Sequence, residues 1–405
     1  MAVPAGASAP PSAPACPILP ADNVWHADIS GLPVNGHSAA WMGNMAAATT
    51  HLHPDFGPSG DPSNPYGIPW TAVPDSHAKV TPAFDYADES DPGPYPFGPD
   101  TPIEGGAQSS GDRHALMVDE DTCVLYELYD ANWNGGHPTA GSGAVFNLRS
   151  NALRPATWTS ADAAGLPILP GLLRLDEVQA GHVDHAIRFT AVRTDRSFIW
   201  PARHQAGAAN DPNLPPMGAR FRLRADFNMA GYRPDTQVVL RAMQHYGLIL
   251  ADNGSNWYFQ GTAENGWADG FIADLKQVPA SAFDAVDESS LMVDPNSAQY
   301  RGAPAPAPAP SPKPAAPSAP RRTPATPAPT VATTTTVPDT TTTTFGQSTP
   351  PEEQKRPQSG EVALKTPSSS SDGGRGAAPW LAGGLLTAAT GGLFWLRRKA
   401  RAMET

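Results

Sequence analysis

His114-Ala115-Leu116-Met117-Val118 runs into the polar stretch Asp119-Glu120-Asp121-Thr122, and Cys123-Val124-Leu125-Tyr126-Glu127-Leu128-Tyr129 runs out of it. Two apolar and aromatic runs around a turn-forming tetrapeptide read as a β-hairpin. Further along, Phe221, Leu223, Ala225 and Phe227 alternate with Arg220, Arg222, Arg224 and Asp226. Period two with one apolar face describes a half-buried antiparallel strand whose arginines look outward. Ala144 to Leu148, His185 to Ala191, Ser197 to Trp200, Leu248 to Ala251, Trp257 to Gln260 and Ala282 to Val286 are further strand candidates, separated by turn signals such as Asp252-Asn253-Gly254.

Helical signals are sparse. Val238, Val239, Ala242 and Met243 make an apolar stripe that Asp235 is placed to cap and Gly247 to stop, and Gly270 to Lys276 allows a shorter helix. Many short strands with Pro/Gly-rich connections predict a mainly β fold, a β-sandwich or jelly-roll-like head with long loops and one or two short helices. Residues 30 to 112, rich in Pro, Gly and Asp, are the expected decoration.

Outward from that head, at residues 16 to 298, the composition divides the chain. Residues 1 to 15, rich in Ala, Pro and Ser, are expected to form a disordered N-terminal segment. Alternating Ala-Pro from Ala303 to Pro310, then threonine runs at 333 to 336 and 340 to 344, leave little to bury in residues 299 to 376. Such a segment is expected to stay extended as a disordered stalk. Ala377 to Leu396 is an uncharged, largely apolar stretch followed by Arg397, Arg398, Lys399 and Arg401. About twenty residues at 1.5 Å each span roughly 30 Å of hydrocarbon, and the basic residues 397 to 405 mark the cytoplasmic side. The expectation is a single-pass cell-membrane protein with an extracytoplasmic head. The opening Met1-Ala2-Val3-Pro4-Ala5 lacks the basic and apolar regions of an export signal, so the true start is expected upstream.

Charge and cysteine usage agree with that address. Residues 1 to 300 carry 15 Lys+Arg and 33 Asp+Glu, whereas the remainder carries 12 and 6. An acidic head repels phosphate backbones, which argues against a nucleic-acid partner. Two cysteines, Cys16 and Cys123, suit one disulfide in an oxidising compartment.

The densest set of hydrogen-bonding side chains is Asn147, Arg149, Asn151 and Arg154, followed by Trp158. An indole beside amides and guanidinium groups is how proteins meet sugars, which makes these five the candidate ligand-binding residues; the competing reading is a structural loop whose arginines bond backbone carbonyls. Glycoside cleavage needs two facing carboxylates. Glu104, Asp112, Glu127, Asp162, Glu177 and Asp184 are available, and Glu127 and Asp162 are the catalytic pair we would choose. Glu127 would share a strand face with Cys123, Leu125 and Tyr129, an apolar setting that raises a carboxyl pKa. His182-Val183-Asp184-His185 cannot converge on a metal from a strand, because His185 points away from the other two. No metal is expected there; Asp85, Asp88, Glu89 and Asp91 crowd one loop densely enough to raise calcium as the one cofactor to consider. No Gly-x-Ser-x-Gly elbow, Gly-rich phosphate loop or Cys-x-x-Cys pair is present.

The phrases Cys16-Pro-Ile-Leu-Pro-Ala-Asp-Asn-Val-Trp25, Leu52-His-Pro-Asp-Phe-Gly57, Asp112-Arg-His114 and the run from Trp158 to Leu172 resemble a group of uncharacterised secreted bacterial proteins over most of residues 16 to 290. The resemblance implies one exported unit and carries no catalytic residue across. The leading expectation is a surface-anchored protein that binds or hydrolyses an extracellular polysaccharide; the alternative is a non-catalytic adhesin or envelope-structural protein.

Overall fold

A computed structural model describes residues 9–302. Twelve strands form among them: β1 (His53–Pro54), β2 (Trp70–Val73), β3 (Ala83–Phe84), β4 (Ala115–Asp119), β5 (Val124–Tyr129), β6 (Thr139–Ala140), β7 (Ser142–Asn147), β8 (Ile187–Ala191), β9 (Arg220–Leu223), β10 (Leu248–Asn253), β11 (Tyr258–Phe259) and β12 (Phe283–Val286). Four helices accompany them: α1 (Ser38–Asn44), α2 (Leu175–Ala180), α3 (Pro234–His245) and α4 (Asp269–Leu275). The head is mainly sheet, as the alternating patterns require. One sheet runs β1-β11-β8-β10-β9-β12, a second β2-β4-β5-β7, and β3 pairs β6 alone.

The hairpin forms as β4 and β5, with Val118 opposite Leu125 and Ala115 opposite Leu128. Its turn is held by Asp119, whose Oδ1 accepts from the amides of Asp121 and Thr122 at 3.2 and 3.0 Å. Cys123 closes it at φ 57° and carries the disulfide to Cys16, Cα to Cα 5.2 Å. Both cysteines are fully buried.

Pairing is mixed. β1 with β11, β8 with β10 and β2 with β4 are parallel. A jelly roll would keep neighbours antiparallel; here the long connections, such as the one from β8 through β9 and α3 to β10, supply the crossovers that parallel neighbours need. Leu116, Val118 and Leu125 of the smaller sheet and Phe189, Phe221, Leu250 and Phe283 of the larger belong to one apolar cluster. Trp257 lies in its middle, with ring centroids 5.6 Å from Phe189, Phe221 and Phe283.

β9 departs from the expected outward arginine face. Arg220 is fully buried; it donates to the carbonyls of Tyr246 and Val24 and pairs with Glu288 at 3.2 Å. Arg222 donates to the carbonyls of Ile29, Ser30 and Leu32. The segment before α1 covers that face, and strand periodicity carries no trace of such a cover. α3 starts on Pro234, with Arg233 at the cap position, so Asp235 stands in the first turn instead, accepting from Arg233 and from the Thr236 amide. Ser197 to Trp200 makes an isolated bridge, Phe198 to Met217, rather than a strand. α1 and α2 lie where no helix was expected.

The head reaches past the expected bounds at both ends: Ala13, placed in the expected disordered N-terminal segment, is buried, and Gln299 and Tyr300, placed in the expected stalk, bridge Asn23 and Met292. Residues 1 to 8, the rest of the expected stalk from 303 to 376, the apolar stretch Ala377 to Leu396 and the basic tail lie outside the described residues. Among the described residues no helix is long and apolar enough to cross a membrane.

Candidate functional site

The pleat of the larger sheet builds a polar cleft on the back of an aromatic core. Phe189 of β8 stands opposite Phe259 of β11 and Leu250 of β10, so these three share the core face. Their neighbours must point the other way. Arg188 and Thr190 of β8, with Tyr258 and Gln260 around Phe259, therefore line one cleft of about 230 Å³.

Two local irregularities add carboxylates. The register between β8 and β10 slips by one residue after Leu250, so Asp252, not Ala251, stands opposite Thr190. A bulge of this kind re-aims a side chain; without it Asp252 would enter the core and Ala251 would face the cleft. β1 ends against β11 with Pro54 opposite Phe259, which brings Asp55 alongside Gln260, whose Nε2 donates to Asp55 Oδ2 at 3.3 Å. Tyr66 donates its hydroxyl to Asp55 Oδ1. Gly254 lets the chain turn close over β8, since a Cβ there would meet Thr190 Oγ1 at 2.8 Å.

The facing wall comes from the segment entering β4. Glu104, Asp112 and His114 line the same cleft. Between the last two, Arg113 adopts φ 54°, a strained conformation for a residue with a Cβ. Its guanidinium is fixed by the carbonyls of Ala131, Ala107 and Ser109 at 3.0, 3.1 and 2.8 Å, which holds the kink in place.

The charges form an ordered set. His114 Nδ1 meets Glu104 Oε2 at 2.6 Å and its Nε2 faces the Ala161 carbonyl at 3.3 Å. Two acceptors around one imidazole call for two N–H donors. Burial opposes the charge, but the Glu104 carboxylate outweighs it and raises the His114 pKa to about 9. Burial likewise works against the Glu104 anion, and His114 overrides it, holding that carboxyl below its ordinary range. Beneath them Arg188 donates to Asp162 from Nε at 2.8 Å and from Nη2 at 2.6 Å. Despite burial, Asp162 raises the Arg188 pKa further above its already high value. Asp252 is 3.9 Å from the same guanidinium, too far for a hydrogen bond. Burial, then the charge of Asp162, push the Asp252 carboxyl up to about 8, with Arg188 only partly offsetting them.

Sequence reasoning reached this cleft in part. Glu104 and Asp112 stand in it, and Asp162 lies fully buried under it as the partner of Arg188. Glu127 is fully buried elsewhere: its carboxylate accepts from the Ile168 and Leu169 amides at 2.9 Å and does not line the cleft. Burial raises its pKa to about 7, against the pull of those two amides.

The five proposed ligand-binding residues lie apart from the cleft lining. Arg149 donates to the Thr122 and Ala15 carbonyls, Asn147 accepts from the Arg149 amide, and Asn151 bonds Asp22 and Asn23. Arg154 is buried against Trp158, donates to the Thr159 and Glu89 carbonyls and pairs with Asp91. That pattern follows the competing structural-loop reading.

Asp91 and Glu89 of the acidic loop are engaged by protein donors, the Val145 and Thr159 amides among them. Among the described residues no group of three or more His, Cys, Asp or Glu side chains is arranged to hold a metal ion. His182 bonds Asp184 at 2.9 Å at the surface, while buried His185 turns inward to Glu177 at 3.0 Å; this run lies before β8, which starts at Ile187 and not at the expected His185, so the loop and not strand alternation separates the two histidines.

Asp55, His114, Arg188, Asp252, Tyr258 and Gln260 were not anticipated as one site. Asp252 read as a turn residue, and Arg188 as a strand position. No local pattern in the sequence brings these six residues together, because they come from four separate segments of the chain. No protein-family model matches the chain, and neither a curated protein nor a solved structure matches it.

Proposed function

We propose that the cleft between β8, β10 and β11 and the segment entering β4 binds an extracellular glycan and hydrolyses one of its glycosidic bonds. The observation that carries this reading is that Asp252 and Glu104 line one cleft. One carboxyl is placed to stay protonated near neutrality and the other to stay ionised. Divergent carboxyl groups in one cleft are the acid and base assignment that glycoside cleavage uses. Asp252 donates its proton to the leaving oxygen as the C–O bond breaks. Glu104, held by His114, stabilises the cationic sugar centre, and water completes the substitution, returning a proton to the site.

The ring of Tyr258 supports the sugar reading. It is partly exposed in the cleft and stacked on His53 at 3.9 Å, so one of its faces is already fixed. A rigid aromatic wall beside several acceptors suits the apolar face and hydroxyl rim of a pyranose. The head is read as a two-layer sandwich, since both larger sheets feed one apolar cluster. We further propose that the segment after the head, residues 303 to 376, forms a stalk, and that the apolar stretch at 377 to 396 anchors it in the cell membrane.

Incubation of the full-length chain with a polysaccharide panel, monitoring new reducing ends, tests the enzymatic reading. Release from at least one glycan, abolished in Asp252→Asn, is expected. No release from any glycan overturns it and returns the protein to a binding or structural role.

A further inference from the structure

Every cation that lines the cleft already has a carboxylate of its own. His114 is taken by Glu104 at 2.6 Å, and Arg188 by Asp162 through two hydrogen bonds. What remains is a surplus of acceptors. Asp55 receives only neutral donors, the Tyr66 hydroxyl and the Gln260 amide. Asp112 is exposed and makes no ion pair among the described residues.

Gln260 adds an independent observation. It is 5% exposed and stands on the cleft wall, its Nε2 is committed to Asp55, and its Oε1 has no hydrogen-bond partner among the described residues. A buried acceptor without a donor costs about 1–3 kcal/mol, which a ligand N–H or O–H would recover. The carboxylates and the amide oxygen therefore ask for the same thing, a donor-rich and positively charged guest. A neutral sugar would supply donors without charge. An acidic polysaccharide would meet repulsion from Asp55 and Asp112 with no free guanidinium or ammonium to receive it.

Resting on the hydrolase reading of this cleft, we infer that its substrate class is a glycan with free amino groups, and that Asp55 and Gln260 receive the ammonium. The ammonium sits against the Asp55 carboxylate, with the Gln260 amide oxygen accepting a second of its three protons. N-acetylation removes the charge and two of the donors, so it acts directly on recognition.

The test is calorimetric titration of the full-length chain, kept in mild detergent at mildly acidic pH, with four probes. These are oligomers of glucosamine, of N-acetylglucosamine, of neutral β-1,4-glucose and of galacturonate. The glucosamine oligomer is expected to bind at least about tenfold more tightly than its acetylated counterpart, a preference that falls with added salt. Asp55→Asn is expected to erase most of the preference, with thermal melting of the variant confirming that it folds. Equal or tighter binding of any other probe, or no binding of the glucosamine oligomer, overturns the inference from the unaltered protein alone.

Reducing ends measured on the same samples separate the two proposals. Binding of the amino sugar without release overturns the hydrolase reading and leaves the recognition. Release from the neutral glycan, without a preference for amines, does the reverse.

Discussion

His114 and Glu104 form a buried ion pair on the cleft wall, with Nδ1 2.6 Å from Oε2 and the imidazole almost fully enclosed. The folded state holds His114 at about 9, above its ordinary 6.5. The pair therefore contributes its full stability below that ordinary value and loses it as pH rises through about 9. Glu104 is held below its usual 4.5, so its share is present above that value and fades as pH falls below it.

Glu104→Gln should cost about 2–3 kcal/mol at pH 6, a buried pair discounted because a quarter or more of the carboxylate side remains exposed. The same variant should lose much less stability than the parent between pH 7 and about 9.5. Urea unfolding at the two ends of that range checks both expectations. An unchanged pH dependence would mean that the imidazole is not charged in the folded state.

Asp252 makes the second prediction. Its carboxyl is held at about 8, so a role as proton donor gives an activity that persists through neutrality and falls as pH rises through about 8. The acid limb belongs to Glu104 and should lie below the usual carboxylate range. Asp252→Asn should lower kcat by about 10²- to 10⁴-fold with little change in KM. An alkaline limb that stays put in a residually active Asp252→Glu variant would assign the limb to another group.

Asp162 and Arg188 make a third. Both are buried and share two hydrogen bonds, so Asp162→Asn leaves a desolvated guanidinium and should destabilise by roughly 3–5 kcal/mol. The carboxylate of Asp162 also pushes the Asp252 pKa upward. Where the variant is kept folded at low temperature, its alkaline activity limb should move to lower pH. Loss of stability with an unmoved limb would confine Asp162 to a structural role.

These residues show how far the sequence could be read. The hairpin at β4 and β5, the strands at β8, β10, β11 and β12, helix α3 and the disulfide all follow from local patterns, because periodicity, turn residues and cysteine count are local properties. The site follows from none of them. Asp252 reaches the cleft through a one-residue slip between β8 and β10, and Arg188 shares with Thr190 a strand face whose outer neighbours arrive from β11 and from the segment before β4. Glu127 illustrates the opposite case. Its apolar strand setting and raised pKa were legible, but its two acceptor oxygens are occupied by the Ile168 and Leu169 amides, which come from a distant loop.

Glu127 therefore carries the last prediction, since a carboxyl raised to about 7 by burial behaves differently if it only fastens a loop. Its folded pKa lies above the unfolded one, so its ionisation opposes folding increasingly as pH rises from about 4.5 to 7, and acidification relieves the strain. Glu127→Gln keeps the volume and one acceptor oxygen, but its amide nitrogen must then face backbone N–H donors. The expected cost is about 1–3 kcal/mol near pH 6, the penalty of a buried polar group left without its partner. Glycan cleavage by the surviving folded fraction should stay at the parent rate, because the carboxylate holds the Ile168–Leu169 turn and does not line the cleft. Thermal melts paired with kcat per folded molecule measure the two effects separately. A fold-preserved variant with kcat reduced by about 10²-fold or more would return Glu127 to the reaction centre and require the cleft to open toward β5.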